Sequence, residues 1–410
     1  MTMTSDPAAA AVDQTIPRII SVDDHVVEPP HVWQTWLPER FRAAGPRVER
    51  RGIGHMRHIG GGAYEQTFDP DGRPADCWVF EDLVYIHKRH VAAVGYSRDE
   101  MTMTPMTYDE MRPGCYDVKA RIADMDMNHT DMSLCFPTFP RFCGQAFTEA
   151  TDRDLGLACV TAYNDWMVEE WCGESDGHLI PLCIVPLWDA DLAAAEVRRN
   201  AARGCHAVAF SEIPPHLGLL SIHSGFWDPF FAACEETQTT VNMHIGSSSR
   251  MPATSPDAPV AVAASLSFNN SMASLCDFLF SGVLVRFPNL TLAYSEGQIG
   301  WLPYVLERVD DVWKEHRAWG GVADLIPEPP STYYYRQVYG CFFRDKHGLE
   351  SLHRVGVDNV TFETDYPHTD TTWPHTLEVA TAMVDHLPAD VQYKVLRGNA
   401  IRMLHLDIDR

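Results

Sequence analysis

Eight short apolar runs constrain this chain more than any other feature. They occupy residues 19–25, 131–138, 179–187, 206–212, 239–246, 290–297, 338–343 and 359–365. Most are continuously apolar rather than alternating, the pattern of parallel strands covered on both faces. Longer amphipathic stretches follow most of them. Residues 154–171 carry Leu155, Ala158, Cys159, Ala162 and Trp166 at helical spacing, and the alanine-rich stretch 191–203 stops before Gly204. Stretches 227–236, 271–286, 299–313 and 374–387 behave alike, and 389–404 closes the chain. Eight strand–helix repeats predict an α/β chain folded as one (β/α)8 TIM barrel.

Such a barrel wants about 300 residues, and the chain has 410. Much of the excess falls between the first and second runs. Residues 40–118 hold turn signals (Gly60-Gly61-Gly62, Asp69-Pro70-Asp71-Gly72) and aromatic pieces such as Trp78-Val79-Phe80 and Tyr85-Ile86. A connection of that length is usually functional or carries its own structure. It is expected to be an insertion with a small β-rich element over the barrel mouth; a peripheral decoration or an oligomer contact is the alternative. Residues 247–266 form a second long loop, rich in Ala, Pro and Ser. Residues 1–17 read as a flexible tail before a single domain over 18–410.

Charge narrows the function classes. The chain carries 32 Lys and Arg against 56 Asp and Glu, a formal net charge of −24. Phosphate backbones and anionic membrane surfaces are bound mainly through Lys and Arg, so nucleic-acid and membrane-surface partners are disfavoured. No apolar run is long enough to span a bilayer, and the small, polar start does not read as a secretory signal. The 11 cysteines are odd in number, lack Cys-x-x-Cys spacing and fall mostly in apolar runs, as Cys135, Cys159, Cys183 and Cys276 do. They read as buried free thiols in a reducing cytoplasm rather than a disulfide frame or a zinc-thiolate site.

Ligand-type residues cluster at the C-terminal ends of four runs, the end at which barrel enzymes carry their chemistry. The first ends Ser21-Val22-Asp23-Asp24-His25, the fifth Asn242-Met243-His244, the sixth Ser295-Glu296-Gly297, and the eighth leads through Glu363-Thr364-Asp365 to His368. Side chains alternate along a strand, so Asp23 and His25 point the same way. Singly, each has an ordinary reading: a buried histidine with a backbone partner, or an aspartate capping a helix. Together, Asp23, His25, His244 and Asp365 offer two imidazoles and two carboxylates, and barrel closure brings the eighth strand beside the first. That donor set suits one divalent metal ion, Zn²⁺ or Mn²⁺. Without a cation such a cluster would be costly to bury.

Several stretches resemble the amidohydrolase superfamily, in the branch related to aminocarboxymuconate-semialdehyde decarboxylase. They are Asp23-Asp24-His25-Val26-Val27-Glu28-Pro29, Ala162-Tyr163-Asn164-Asp165-Trp166, the run from Val241 to Ser247, Ser295-Glu296-Gly297 with Trp301-Leu302-Pro303 and Glu307-Arg308, and the run from Phe362 to His368. The resemblance covers residues 18 to 405 or so. It implies a metal-dependent barrel that decarboxylates aromatic or conjugated acids without a redox cofactor, or hydrolyses C–N, C–O or C–C bonds. It also suggests a homodimer, which apolar helix faces permit. His244 matches the family's fifth-strand histidine ligand, and Asp365 its eighth-strand aspartate, a ligand and proton-transfer residue in relatives. Two positions depart. Asp23-x-His25 stands where relatives carry His-x-His or Glu-x-His, and Ser295-Glu296-Gly297 where they commonly carry Ser-His-Gly. Glu296 could act as general acid or base, or as a fifth ligand. The fourth run ends Phe210-Ser211-Glu212 with no lysine to bridge two metals, so a mononuclear site is expected, with Glu212 as the candidate to bridge a second ion.

Two enzyme readings share these residues. In the decarboxylase reading Asp365, with Glu296, shuttles the proton that replaces CO₂; in the hydrolase reading Asp365 takes the proton of metal-activated water. A ligand-binding barrel without activity is the third reading. Glu28, Arg141, Arg308 and His368 are candidates to contact the substrate, a small aromatic or unsaturated acid. Their bland alternatives are a solvated loop acid, a solvated loop cation, pairing with Asp310 or Asp311, and a turn contact. Trp33, Trp78 and Trp373 line a pocket or serve packing, and His223 reads as loop structure.

Overall fold

The computed structural model describes residues 16–60 and 63–408. Of the expected tail, residues 1–15 lie outside the described residues, while Ile16 is buried in the core. Each apolar run forms a strand. The first, β1, spans Ile19–Val26. The insertion contributes β2 (Arg47–Gly60), β3 (Ala63–Phe68), β4 (Arg73–Phe80) and β5 (Leu83–Ile86). The remaining runs give β6 (Thr130–Pro137), β7 (Leu179–Ile180), β8 (Ala207–Phe210), β9 (Thr240–His244), β10 (Leu292–Ser295), β11 (Val338–Phe342) and β12 (Val360–Phe362). One parallel sheet runs β7-β6-β1-β12-β11-β10-β9-β8. A bridge between Cys183 and Val208 joins its two ends, so the sheet closes into the expected eight-stranded barrel with β12 beside β1.

The strands are shorter than the apolar runs, for local reasons. Pro181 has no N–H to give a ladder, and β7 stops at Ile180. At β10 and β12 the chain turns into left-handed backbone, at Glu296 (φ 54°) and Asp365 (φ 50°). Buried strand positions and helix faces such as Leu155, Cys159, Ala162 and Trp166 form one continuous core. All 11 cysteines are free thiols, and all but Cys276 are buried.

The insertion folds as an antiparallel sheet of order β3-β2-β4-β5. It docks through Trp78, which stacks on Phe139 at 5.1 Å and meets Trp33 edge-on at 4.9 Å. Trp373 donates its indole N–H to the Asp124 carbonyl. These three tryptophans therefore serve packing. At the β2–β3 turn, Gly60 (φ 109°) lies so close to the second long loop that a Cβ there would sit 2.9 Å from the Pro256 carbonyl oxygen. No helix among the described residues is long and apolar enough to cross a membrane.

Candidate active site

Alternation along β1 sorts its three polar residues. Asp24 points away from the barrel interior and accepts from the Ser21, Ser133 and Thr364 hydroxyls and the Tyr366 N–H. This ties β1 to β6 and to the turn after β12. Asp23 and His25 point the other way and are fully buried. His244, the last residue of β9, brings its Nε2 to 3.2 Å from His25 Nε2 and 3.4 Å from Asp23 Oδ2. Asp365 Oδ1 stands 3.4 Å from His25 Nε2, and Asp23 Oδ1 3.7 Å from it. His244 Nδ1 faces the Ile245 carbonyl at 2.6 Å. As the donor of that bond it leaves the Nε2 lone pair turned to the cluster.

Two further expected residues join them. Glu296 Oε2 lies 3.6 Å from His244 Nε2. His368 Nδ1 lies 3.4 Å from Asp365 Oδ1, and its ring stacks on His25 at 3.5 Å between centroids. Phe142 stacks on the His244 ring at 4.1 Å. One residue that the sequence reading passed over belongs here. Glu363 accepts from the Glu296 N–H at 3.0 Å and from the Cys341 thiol. It lies two residues before Asp365, so the alternation that paired Asp23 with His25 was also its signal.

The electrostatics of this group lack a cation. Neither oxygen of Asp23 or Asp365 has a hydrogen-bond donor among the described residues. Their close neighbours are other carboxyls, Glu363 beside Asp23 and Glu296 beside Asp365. Burial first, then these acids, pushes the Asp23 and Asp365 carboxyls well above the usual range. Burial, with Asp370 and Glu363, does the same to Glu296, and burial raises Glu363 to about 7. Burial also holds His244 neutral, with a pKa of about 3, and burial with His368 and His244 lowers His25. Four acids and two neutral imidazoles fit a divalent ion, which would reverse the upward shifts of the acids and keep the imidazoles neutral. Ligand atoms around such an ion stand about 3.3 Å apart when the bonds are about 2.0 Å and the geometry is tetrahedral. The two triads that can be drawn within ligand reach are Asp23–His25–His244 and His25–Asp365–His368.

The other expected contacts divide. Arg141 lines a cavity of about 660 Å³ that reaches the cluster at His368 and Phe142. Both of its terminal nitrogens are engaged by Glu149, at 2.6 and 2.8 Å. Glu28 is not brought to the cluster. Its carboxylate accepts the N–H groups of Thr138 and Phe139 and so pins the turn after β6. Arg308 is exposed on the helix Leu302–His316, outside the barrel. Neither lines the cavity. Both were expected from their nearness in sequence to strand ends, but chain direction after the strand carries them away. Glu212 accepts from the Gly246 N–H, the Ser248 hydroxyl and the Asn270 amide through one oxygen. His223 pairs with Asp277 on the surface.

A family model described as an amidohydrolase matches residues 31–406. The chain belongs to the amidohydrolase family. Its barrel is shared with an amidohydrolase from Mycobacterium avium subsp. paratuberculosis K-10, at TM-score 0.66 and 22% identity over 95% of this chain and 99% of that one. It is similar to 5-carboxyvanillate decarboxylase from Sphingomonas paucimobilis, at TM-score 0.60 and 18% identity over 95% and 99% of the two chains. It is also similar to the 5-carboxyvanillate decarboxylase of Novosphingobium aromaticivorans DSM 12444, solved with manganese and 4-hydroxy-3-methoxy-5-nitrobenzoic acid. That match has TM-score 0.62 and 17% identity over 99% and 100% of the chains. No curated protein matched the sequence.

Proposed function

We propose that this amidohydrolase decarboxylates an aromatic or conjugated carboxylic acid, without a redox cofactor, at a mononuclear divalent metal site. One observation carries the reading: His244, Asp365 and Asp23 stand 3.2, 3.4 and 3.7 Å from His25 Nε2 in the barrel, with both oxygens of each aspartate unsatisfied. These four residues would hold the ion, zinc or manganese. Bound there, the ion supplies Lewis-acid stabilisation of negative charge developing on the substrate. Similar folds that act on aromatic acids, one of them solved with manganese, support both the substrate class and the ion.

The chain's own residues supply the rest. Decarboxylation adds a proton to the carbon that bears the carboxylate, breaks the bond to that carboxylate, leaves the bonding pair on the ring and releases CO₂. Asp365 faces the cluster beside the Glu296 carboxyl, so we assign delivery of the proton to Asp365 and its resupply to Glu296. Leu83, Tyr85, Val91 and Met103 from the insertion give the cavity apolar walls for a planar ring, and the insertion acts as a lid that excludes water. Eleven free thiols suit a reducing cytoplasm, and exposed Tyr304 and Trp319 offer apolar surface to a second copy.

The test is direct. Full-length protein loaded with Mn²⁺ or Zn²⁺ is incubated with hydroxylated benzoates in ¹⁸O-water. Release of CO₂ with no ¹⁸O in the organic product is expected; an ¹⁸O-labelled product formed without CO₂ would replace this reading with hydrolysis.

A further inference from the structure

The cavity beside the cluster carries the wrong charge for this chain. Lys88, Arg141 and Arg250 line it, and no Asp or Glu does, although acids outnumber bases 56 to 32 in the sequence. A wall of one sign concentrates ligands of the other. The three cations are not equivalent. Arg141 is neutralised by Glu149 through a bidentate pair. Arg250 is exposed at the rim. Lys88 is half-buried, on the segment that follows β5, and its backbone bridges Pro105. Its ammonium sits over the Tyr64 ring at 5.6 Å and has no carboxylate partner among the described residues. Burial lowers its pKa, so the uncompensated charge is destabilised where it stands, and an anion in the cavity would relieve it.

We infer that Lys88 is a specificity-determining residue that holds a second carboxylate of the substrate, apart from the group presented to Asp23, His25, His244 and Asp365. The preferred substrate is then an aromatic diacid lying across the cavity, its ring between the apolar walls. The inference rests on the aromatic-acid reading for the nature of the ring. Its charge argument stands on the lining alone.

Equilibrium binding separates the two. Titration calorimetry compares isophthalate with benzoate on the full-length, metal-loaded protein. The wild type is expected to bind isophthalate about tenfold more tightly, the worth of one charge-assisted hydrogen bond. Lys88→Met and Lys88→Gln should erase that preference and leave benzoate affinity within about twofold, so benzoate reports that the fold is intact. Lys88→Arg should restore most of the preference. Equal affinities in the wild type, binding of neither acid, or a preference that survives both Lys88→Met and Lys88→Gln would overturn the inference. A Lys88-dependent preference in a protein that releases no CO₂ would sink the decarboxylase reading and leave this one. CO₂ release with no such preference would do the reverse.

Discussion

Glu296 and Asp365 sit in left-handed backbone at φ 54° and 50°. A non-glycine residue there costs on the order of 1 kcal/mol or more. Glu296 directly follows β10 and Asp365 lies three residues beyond β12, and both side chains turn into the cluster. The strain therefore falls where positioning is needed, and it separates shape from chemistry. Asp365→Asn keeps the size and a residue type that tolerates this backbone, but it can neither give up a proton nor balance a cation. Turnover should fall roughly a thousandfold, with circular dichroism unchanged. A fully active Asp365→Asn protein would remove this residue from the reaction. Glu296→Gln keeps the turn and loses only the proton relay. Turnover should fall about a hundredfold, while the midpoint of thermal unfolding rises because a buried acid crowded by acids is gone. A glutamine variant that turns over at the parental rate would leave Glu296 a merely structural neighbour of His244.

At the scale of elements, the eight barrel strands were legible because parallel strands covered on both faces leave unbroken apolar runs. Their ends were not. Whether a strand stops at Ser295 or continues through Glu296 depends on the left-handed turn, and no residue type at Glu296 or Asp365 announces one. The insertion gave only its turns. Its order, β3-β2-β4-β5, depends on long-range pairing that local sequence does not encode. Buried acids join these elements. Glu28 fixes the turn after β1 to the turn after β6, and Glu28→Ala should cost about 2–4 kcal/mol in denaturant unfolding by stranding two buried N–H groups. Glu212 ties the end of β8 to the loop after β9, and burial raises its pKa to about 7 from 4.5. Below pH 4.5 it is protonated in both folded and unfolded chains, and no penalty exists. Between pH 4.5 and 7 the unfolded chain ionises while the folded chain holds its proton, so stability is lost as pH rises. Above 7 the loss is complete, at about 3 kcal/mol. Glu212→Gln should therefore match the wild type near pH 4 and exceed it increasingly toward pH 8. Parallel stability curves for the two proteins would show that Glu212 ionises freely where it stands.

For the whole molecule, the proposed ligand quartet was legible in the sequence because three strand ends of one barrel must meet at one mouth. The sequence could not show Lys88, which reaches the cavity from an insertion whose placement is a tertiary fact. Nor did the net charge of −24 reveal that acids gather on the cluster while cations line the cavity beside it. That partition has a thermodynamic consequence. The metal-free cluster is penalised when its acids ionise, since burial and mutual repulsion raise Asp23, Asp365 and Glu296 above their unfolded values. Lowering the pH protonates them and relieves the metal-free fold; raising it restores the penalty and also frees the ligands to bind an ion. Chelation should thus cost little stability near pH 5 and much more near pH 8. An ion present at a hundred times its dissociation constant contributes about 2.7 kcal/mol. Thermal unfolding with a chelator, with added Mn²⁺ and with added Zn²⁺ at the two pH values measures the difference. Asp23→Asn joined to Asp365→Asn should abolish both the chelator effect and its pH dependence. A chelator shift that is equal at both pH values, or that persists in this double variant, would place the stabilising ion somewhere other than the barrel mouth.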